Sequence, residues 1–286
     1  MITRENKNYE GDKKSFDNSW KAQPEANYTH WVRGEPLNQI QLAFKNHWEV
    51  FQLLIKSKMF NQGKRVLEVG SGRGTMSCYF SDAGYECFLL DSSAAVINIA
   101  KKIFRDNNLK AEFEVGDALA LPYENASFDI VFSIGLLEHF NNVQDVLAEQ
   151  VRVLNKRGLL IAYIVPDWQC QVQTEHNWIN EIITSYSKPA KVVEKPSIYR
   201  TKYKSKTYLD ALKTLKLNDI HSSGIYSLPM ISHSPDFPFS LMPPDGEIAF
   251  VNQCKKWLAT RTGKGLIHPW ICEEGFGQSL LVWGYK

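Results

Sequence analysis

The sequence predicts an α/β fold, a doubly wound parallel sheet with helices on both faces, and two observations carry this prediction. Apolar strand-like runs alternate with amphipathic helix-like stretches from residue 64 to residue 165, an order that places consecutive strands parallel. The apolar run at Val66–Val69 is followed by three glycines, Gly70, Gly72 and Gly74. That spacing is typical of a buried strand that ends in a tight turn and leads into a helix.

Composition limits the class of protein. The chain has 286 residues, of which 44% are hydrophobic and 22% charged, values typical of a globular protein with one large α/β domain or two small ones. The net charge of +2 does not by itself indicate a nucleic-acid partner. We find no apolar signal core and no run of about 18 apolar residues, so we expect no membrane span. Five scattered cysteines without a CxxC motif favour free thiols and a cytoplasmic location.

The N-terminal region precedes the alternating core. We expect a disordered tail over residues 1–17 and one domain over residues 18–286. Between residues 38 and 59, apolar side chains recur every three or four positions, which predicts an amphipathic helix. Two interpretations of residues 18–60 stay open: the segment packs onto the domain, or it forms a lid over a ligand site.

The glycine turn has features that exclude two common phosphate sites. A dinucleotide fingerprint needs its third glycine where this chain has Thr75, and no GK[ST] follows as a P-loop requires.

The second predicted strand, from Glu86 to Leu90, ends in Asp91, which lies 21 residues after Gly70. An acidic residue at that position typically binds a ribose diol. The alternative is that Asp91, with the serines after it, caps the next helix.

The stretch VLEVGSGRG, with Glu68 two residues before Gly70, resembles motif I of the class I S-adenosylmethionine (SAM)-dependent methyltransferases. The resemblance covers residues 64–165 well, and the last two strands less so. It implies a Rossmann-like sheet of seven strands whose last strand inserts antiparallel between the fifth and the sixth. It also implies SAM as the cofactor and S-adenosylhomocysteine as the product.

The resemblance implies cofactor contacts from the ends of the first four strands. The Asp117 carboxylate is expected to accept the adenine amino group and Ala118 to present a backbone amide, although a Gly-Asp pair can also be merely a turn. The expected cofactor-binding residues are Glu68, Gly70, Ser71, Gly72, Asp91, Ser92, Asp117, Ala118, Ser133 and Ile134.

Methyl transfer from a sulfonium needs alignment more than a catalytic group, so a general base is optional. The best candidate base is His139, just past the fourth strand, with a purely structural role as the alternative. The second candidate is Asp167, at the end of the fifth strand, where a carboxylate could orient an amine. No pattern of metal ligands is evident.

The acceptor is expected to lie under two insertions, residues 166–206 and 229–272. Candidate lining residues are His176, Tyr199, Tyr226 and His233. The basic stretch 188–206 is interpreted as a solvated face, as a site for an anionic acceptor, or as a surface for single-stranded RNA. We predict methyl transfer to an N, O or S atom of a small molecule, with an anionic acceptor as one option. The alternatives are an RNA or protein methyltransferase and a non-catalytic SAM-binding protein; nucleic acid is the less expected partner, and the oligomeric state stays open.

Overall fold

A computed structural model describes most of the predicted domain. The described residues are 30–56, 65–176, 198–229, 244–262 and 267–286. The expected N-terminal tail, His233 and most of the basic stretch before residue 198 lie outside these ranges.

The central feature is a sheet of eight strands in the order β3-β2-β1-β4-β5-β8-β6-β7. The first five strands pair in parallel, and β8 lies antiparallel between β5 and β6. The predicted fold class and the antiparallel last strand are therefore confirmed. The strands are β1 Arg65–Val69, β2 Glu86–Asp91, β3 Glu112–Val115, β4 Phe128–Ile134, β5 Leu154–Ile164, β6 Asn218–Ile225, β7 Ile271–Cys272 and β8 Ser279–Tyr285.

Helices connect the strands and cover both faces of the sheet. Apolar side chains of β1, β4 and β5 point alternately to the two faces, so the described part of the chain contains two hydrophobic clusters. One lies under the N-terminal helix and the other under the helices after β4 and before β6. The α-helices are α1 Gln39–Lys56, α2 Thr75–Asp82, α3 Ala94–Asp106, α4 Val143–Val153, α5 Gln171–Glu175, α6 Ser205–Thr214 and α7 Pro244–Arg261.

Two predictions about the strands were wrong in detail. The sequence Asn155–Gly158 predicts a turn that ends a helix, with the fifth strand starting only after it. In the structure, β5 already begins at Leu154, directly after α4. Arg157 has a positive φ of 65°, and its N–H donates to the Lys286 carbonyl, so the chain stays paired with the end of β8. The sheet also has eight strands rather than seven, because the two-residue strand β7 pairs with β6.

The N-terminal helix α1 is attached to the sheet and to the C-terminal part of the chain. Phe51 of α1 packs edge-on against Phe132 of β4, with 5.7 Å between ring centroids. The buried indole N–H of Trp270 donates to His47 Nδ1 at 2.8 Å. Residues 30–56 and 267–272 therefore form one connected cover on this face.

All five cysteines are buried free thiols. Within the described ranges, no helix combines the length and the apolarity that a membrane crossing requires.

Candidate active site

The glycine turn joins β1 to α2 at the carboxyl end of the sheet. Gly70, Gly72 and Gly74 all have positive φ, at 69°, 52° and 69°, a conformation that costs a side-chain-bearing residue about 1 kcal/mol or more. The N–H groups of Gly70 and Ser71 donate to the Leu90 carbonyl at 2.8 and 3.0 Å. The turn is therefore fixed against the end of β2.

Two of the glycines also meet close neighbours. A Cβ built on Gly74 would lie 2.3 Å from Leu89 Cδ2, and one built on Gly70 would lie 2.7 Å from Leu136 Cδ1. At these two positions the absent side chain makes room for the protein's own core. The backbone N–H of Gly72 faces a different partner, the carboxylate of Asp91.

Asp91 links the turn to the start of α3. One carboxylate oxygen accepts the Gly72 N–H at 2.9 Å, and the other accepts the Ser93 N–H at 2.9 Å. Burial raises the pKa of Asp91, and these backbone hydrogen bonds counteract the increase. The Ser92 N–H also faces this carboxylate, and since a carboxylate has about four acceptor positions, the backbone leaves part of its acceptor capacity for a diol. Ser93 caps α3 by accepting the Val96 N–H, and the two predicted roles of this region are compatible.

Glu68 lies beneath the turn and is only 3% exposed. Its Oε2 accepts both the N–H and the hydroxyl of Ser77, at 3.3 and 2.5 Å, which fixes α2 against β1. Burial raises the pKa of Glu68 to about 8. The carboxyl group thus supports the turn from below.

Two hydroxyl groups near the strand ends allow a test of whether a cofactor fits. Ser71 Oγ in the turn and Ser133 Oγ on β4 are buried and have no hydrogen-bond partner among the described residues. Buried hydroxyls of this kind are costly unless a water or a ligand satisfies them. With the open positions on Asp91, they form a polar cradle along the ends of β1, β2 and β4 that fits a nucleoside carrying an amino-acid tail.

Two further positions predicted for the cofactor lie after β3 and β4. Asp117 begins a turn in which its Oδ1 accepts the Leu119 N–H at 3.0 Å, and Ala118 is buried. Ser92 lies between Asp91 and the helix cap, and it is exposed. Ile134 is the last residue of β4. All of these positions lie at the carboxyl edge of the sheet, as predicted, and their contacts with a cofactor stay predictions.

His139 ends a short 3-10 helix, Leu137–His139, that follows β4. Its Nδ1 lies 2.7 Å from the Tyr199 carbonyl oxygen, so Nδ1 carries the proton and donates it to that carbonyl. Burial lowers the pKa of His139 to about 4, which keeps the imidazole neutral at physiological pH. A backbone group of Gly135 also contacts this imidazole, and its catalytic role stays a prediction.

Asp167 lies on the surface beyond β5, with 61% of its side chain exposed and Lys202 Nζ at 3.8 Å. Two of the other predicted lining residues lie on the face covered by α1 and α7. Tyr226 stacks on Trp270 at 4.6 Å, and the His176 ring meets Trp257 edge-on at 5.1 Å. They do not converge with Asp167 in one described pocket.

Sequence analysis missed the role of residues 199–204, which we call the strap. This segment crosses the carboxyl edge of the sheet between the loops that follow β4 and β5. The Thr201 N–H donates to the Glu138 carbonyl at 2.7 Å, and the Thr201 carbonyl accepts the Asp167 N–H at 2.9 Å. The basic stretch alone could not indicate this, because its partners Glu138 and Asp167 belong to loops much earlier in the chain.

Glu138 is the second group that sequence analysis missed. It is 1% exposed, and its Oε2 is buried without a hydrogen-bond partner in the described part of the chain. Burial raises the pKa of Glu138 to about 8, and the positive charge of Arg200 opposes the increase. A mostly protonated carboxyl group therefore lies beside His139 at the end of β4.

Comparison with known proteins identifies the core. A family model described as "Methyltransferase domain" matches residues 67–162. Demethylmenaquinone methyltransferase of Renibacterium salmoninarum is 37% identical over 99 residues, which are 35% of this chain and 40% of that protein. Chloroplastic tocopherol O-methyltransferase of Arabidopsis thaliana is 31% identical over 140 residues, or 44% of this chain and 40% of that protein. The chain thus spans about two fifths of the length of each relative.

The fold is shared over a longer stretch. The crystal structure of magnesium protoporphyrin IX methyltransferase from Synechocystis, with bound S-adenosylhomocysteine, superposes with a TM-score of 0.53 at 12% identity. The superposition covers 98% of this chain and 99% of the other. At this level of identity the similarity concerns the fold.

Proposed function

We propose that this chain, a class I SAM-dependent methyltransferase by its core domain and fold, transfers the methyl group of SAM to a small-molecule acceptor. The observation that carries the proposal is the polar cradle at the glycine turn. It combines Asp91, held by the Gly72 N–H, with the partnerless hydroxyls of Ser71 and Ser133. The relatives named above support a small-molecule acceptor, since their names specify a quinone precursor and a tocopherol.

The residues of the turn bind and orient. Asp91 is assigned to the ribose diol, whose two hydroxyls would donate to the free acceptor positions of the carboxylate. Ser71 and Ser133 are assigned to the amino-acid end of the cofactor. When bound, SAM supplies an activated methyl group, so the protein needs to align an acceptor atom and exclude water.

At the acceptor side we assign two roles. His139 accepts a proton if the acceptor is a phenol or an ammonium group, while the Tyr199 carbonyl orients its ring through the Nδ1–H. Asp167 orients a positively charged part of the acceptor. An acceptor that carries no proton at the reacting atom needs neither group.

The experiment is transfer of a labelled methyl group from SAM into a metabolite extract, followed by mass spectrometry of the labelled product. We expect one small-molecule product that is absent with a D91A variant. Label found in RNA or protein would refute the acceptor class. Tight binding of S-adenosylhomocysteine without any labelled product would instead indicate a non-catalytic binding protein.

A further inference from the structure

The strap, residues 199–204, has two different sides. On one side, the Tyr199 hydroxyl donates to Asn141 Oδ1 at 2.5 Å and the Tyr203 hydroxyl donates to the Asn141 carbonyl at 3.2 Å. Between them, Thr201 is 3% exposed. The odd-numbered side chains therefore fasten the strap to the loop after β4.

The even-numbered side chains of the strap are Arg200, Lys202 and Lys204, all basic. In a chain segment without turns, alternate residues point to opposite sides and repeat about every 7 Å. The alternation thus separates the row of three cations from the side chains that anchor the strap. A row of this kind differs from a merely solvated charge run, because the fixed backbone sets the spacing of its charges.

Arg200 is half-buried, although its guanidinium has no hydrogen bond or ion pair with any described residue. The positive charge of Arg200 acts on two neighbouring groups. It adds to the effect of burial in lowering the pKa of His139, and it opposes the increase that burial causes in the pKa of Glu138. A guanidinium that is partly shielded from water and lacks a carboxylate partner is a typical receptor for a carboxylate or a phosphate.

The other end of the strap borders an open cleft of about 460 Å³. Lys204 and the indole of Trp168 lie among its walls. Lys204 is exposed and forms no ion pair within the described ranges, whereas Lys202 lies 3.8 Å from Asp167. The Trp168 Nε1 is buried without a partner in that same part of the chain. The cleft thus places Lys204 with Trp168, while the Glu274 carboxylate on the same wall accepts the N–H and the hydroxyl of Ser205.

We infer that the strap is the recognition element for an anionic acceptor, whose carboxylate or phosphate is held by Arg200 and whose remainder extends past Lys202 to Lys204 and Trp168. This inference rests on the proposed function and adds the substrate class to it. It is favoured over single-stranded RNA because both strap tyrosines use their hydroxyls to fix the strap, where an RNA surface would present several free aromatic faces for stacking.

The test is a titration of the full chain with inorganic phosphate, followed by ³¹P NMR, with and without saturating S-adenosylhomocysteine. We expect the affinity to fall roughly tenfold in R200A, the loss typical of one charge-assisted hydrogen bond at a partly exposed site, and to change little in K204A, because two alternate-residue steps of about 7 Å separate Lys204 from Arg200. R200K should retain only part of the affinity, because it keeps the charge and loses the guanidinium fork. The control is K156A, which removes an exposed lysine at the amino end of β5.

The possible outcomes are distinct. Absence of phosphate binding by the wild type, equal binding by wild type and R200A, or an equal loss in K156A would each overturn the inference. Tighter binding of a short single-stranded RNA that is lost in R200A would overturn it in favour of nucleic acid. Binding of S-adenosylhomocysteine, measured on the same samples, reports separately on the proposed function and on the folding of each variant.

Discussion

The substitution E68Q provides a quantitative prediction about the buried carboxyl group under the glycine turn. Burial raises the pKa of Glu68 to about 8, whereas the unfolded chain has the ordinary value near 4.5. Between these values the native state keeps a proton that the unfolded state has lost, so the contribution to stability is full below pH 4.5 and is lost as the pH rises through 8. From pH 6.5 to pH 8, the free energy of unfolding should decrease by about 1–2 kcal/mol because of this group alone.

Two buried histidines set the lower end of the pH range in which this decrease can be measured. Burial lowers the pKa of His47 to about 3 and that of His139 to about 4. Their contribution to the free energy of unfolding is therefore full above pH 6.5 and is lost as the pH falls. Glu138, whose pKa burial raises to about 8, acts in the same direction as Glu68. The wild type should therefore be most stable near pH 6.5.

The assay is urea unfolding at several pH values between 6.5 and 8. Glutamine keeps the shape and an oxygen that accepts from Ser77, so E68Q should lose about 1–2 kcal/mol less than the wild type over this interval. The control is E112Q, an exposed carboxylate on β3, which should follow the wild type. An identical pH dependence in E68Q and wild type would refute the reasoning, whatever the absolute stabilities.

Three further predictions concern the turn and its cover. G74A should reduce the free energy of unfolding by at least ~2 kcal/mol in urea melts, because the new methyl group meets a core side chain at a positive φ; a smaller loss would contradict this. D91N should weaken calorimetric binding of S-adenosylhomocysteine by roughly 10- to 100-fold, because it removes charge-assisted hydrogen bonds. D129N, at the opposite edge of the sheet where Asp129 accepts a backbone N–H, should leave that affinity unchanged. H47F should reduce the free energy of unfolding by about 1–3 kcal/mol, because it leaves the buried Trp270 N–H without an acceptor. The double variant H47F/W270F should lose less than the sum of the two single losses. Strictly additive losses would argue against this hydrogen bond.

The sequence predicted those parts of the fold that depend on local pattern. The continuous apolar run from Phe128 to Ile134 predicts a strand with the observed bounds of β4, because both faces of this strand are buried. The pattern from Ile220 to Leu228 predicts a sixth strand that ends too late, since the positive φ of 67° at Tyr226 stops β6 at a residue type that is favoured in strands. Strand β7 has two residues, too few to produce a period.

In the candidate site, too, the features that depend on local spacing could be predicted from the sequence, and those that depend on long-range contacts could not. Asp91 follows its strand at a spacing that geometry fixes, so its place beside Gly72 could be predicted. The burial of Glu138 could not, because it depends on the strap crossing from a segment 60 residues further along the chain. Long-range closure of this kind leaves no periodic signal in the sequence.

The central claim is that the turn from Gly70 to Gly74 and the carboxylate of Asp91 hold SAM. The most direct measurement is calorimetric titration of the purified chain with S-adenosylhomocysteine, with NADH as a competing candidate. The account predicts saturable binding of one S-adenosylhomocysteine per chain and no heat from NADH. Saturable binding of NADH, or no binding of S-adenosylhomocysteine by the folded chain, would contradict it.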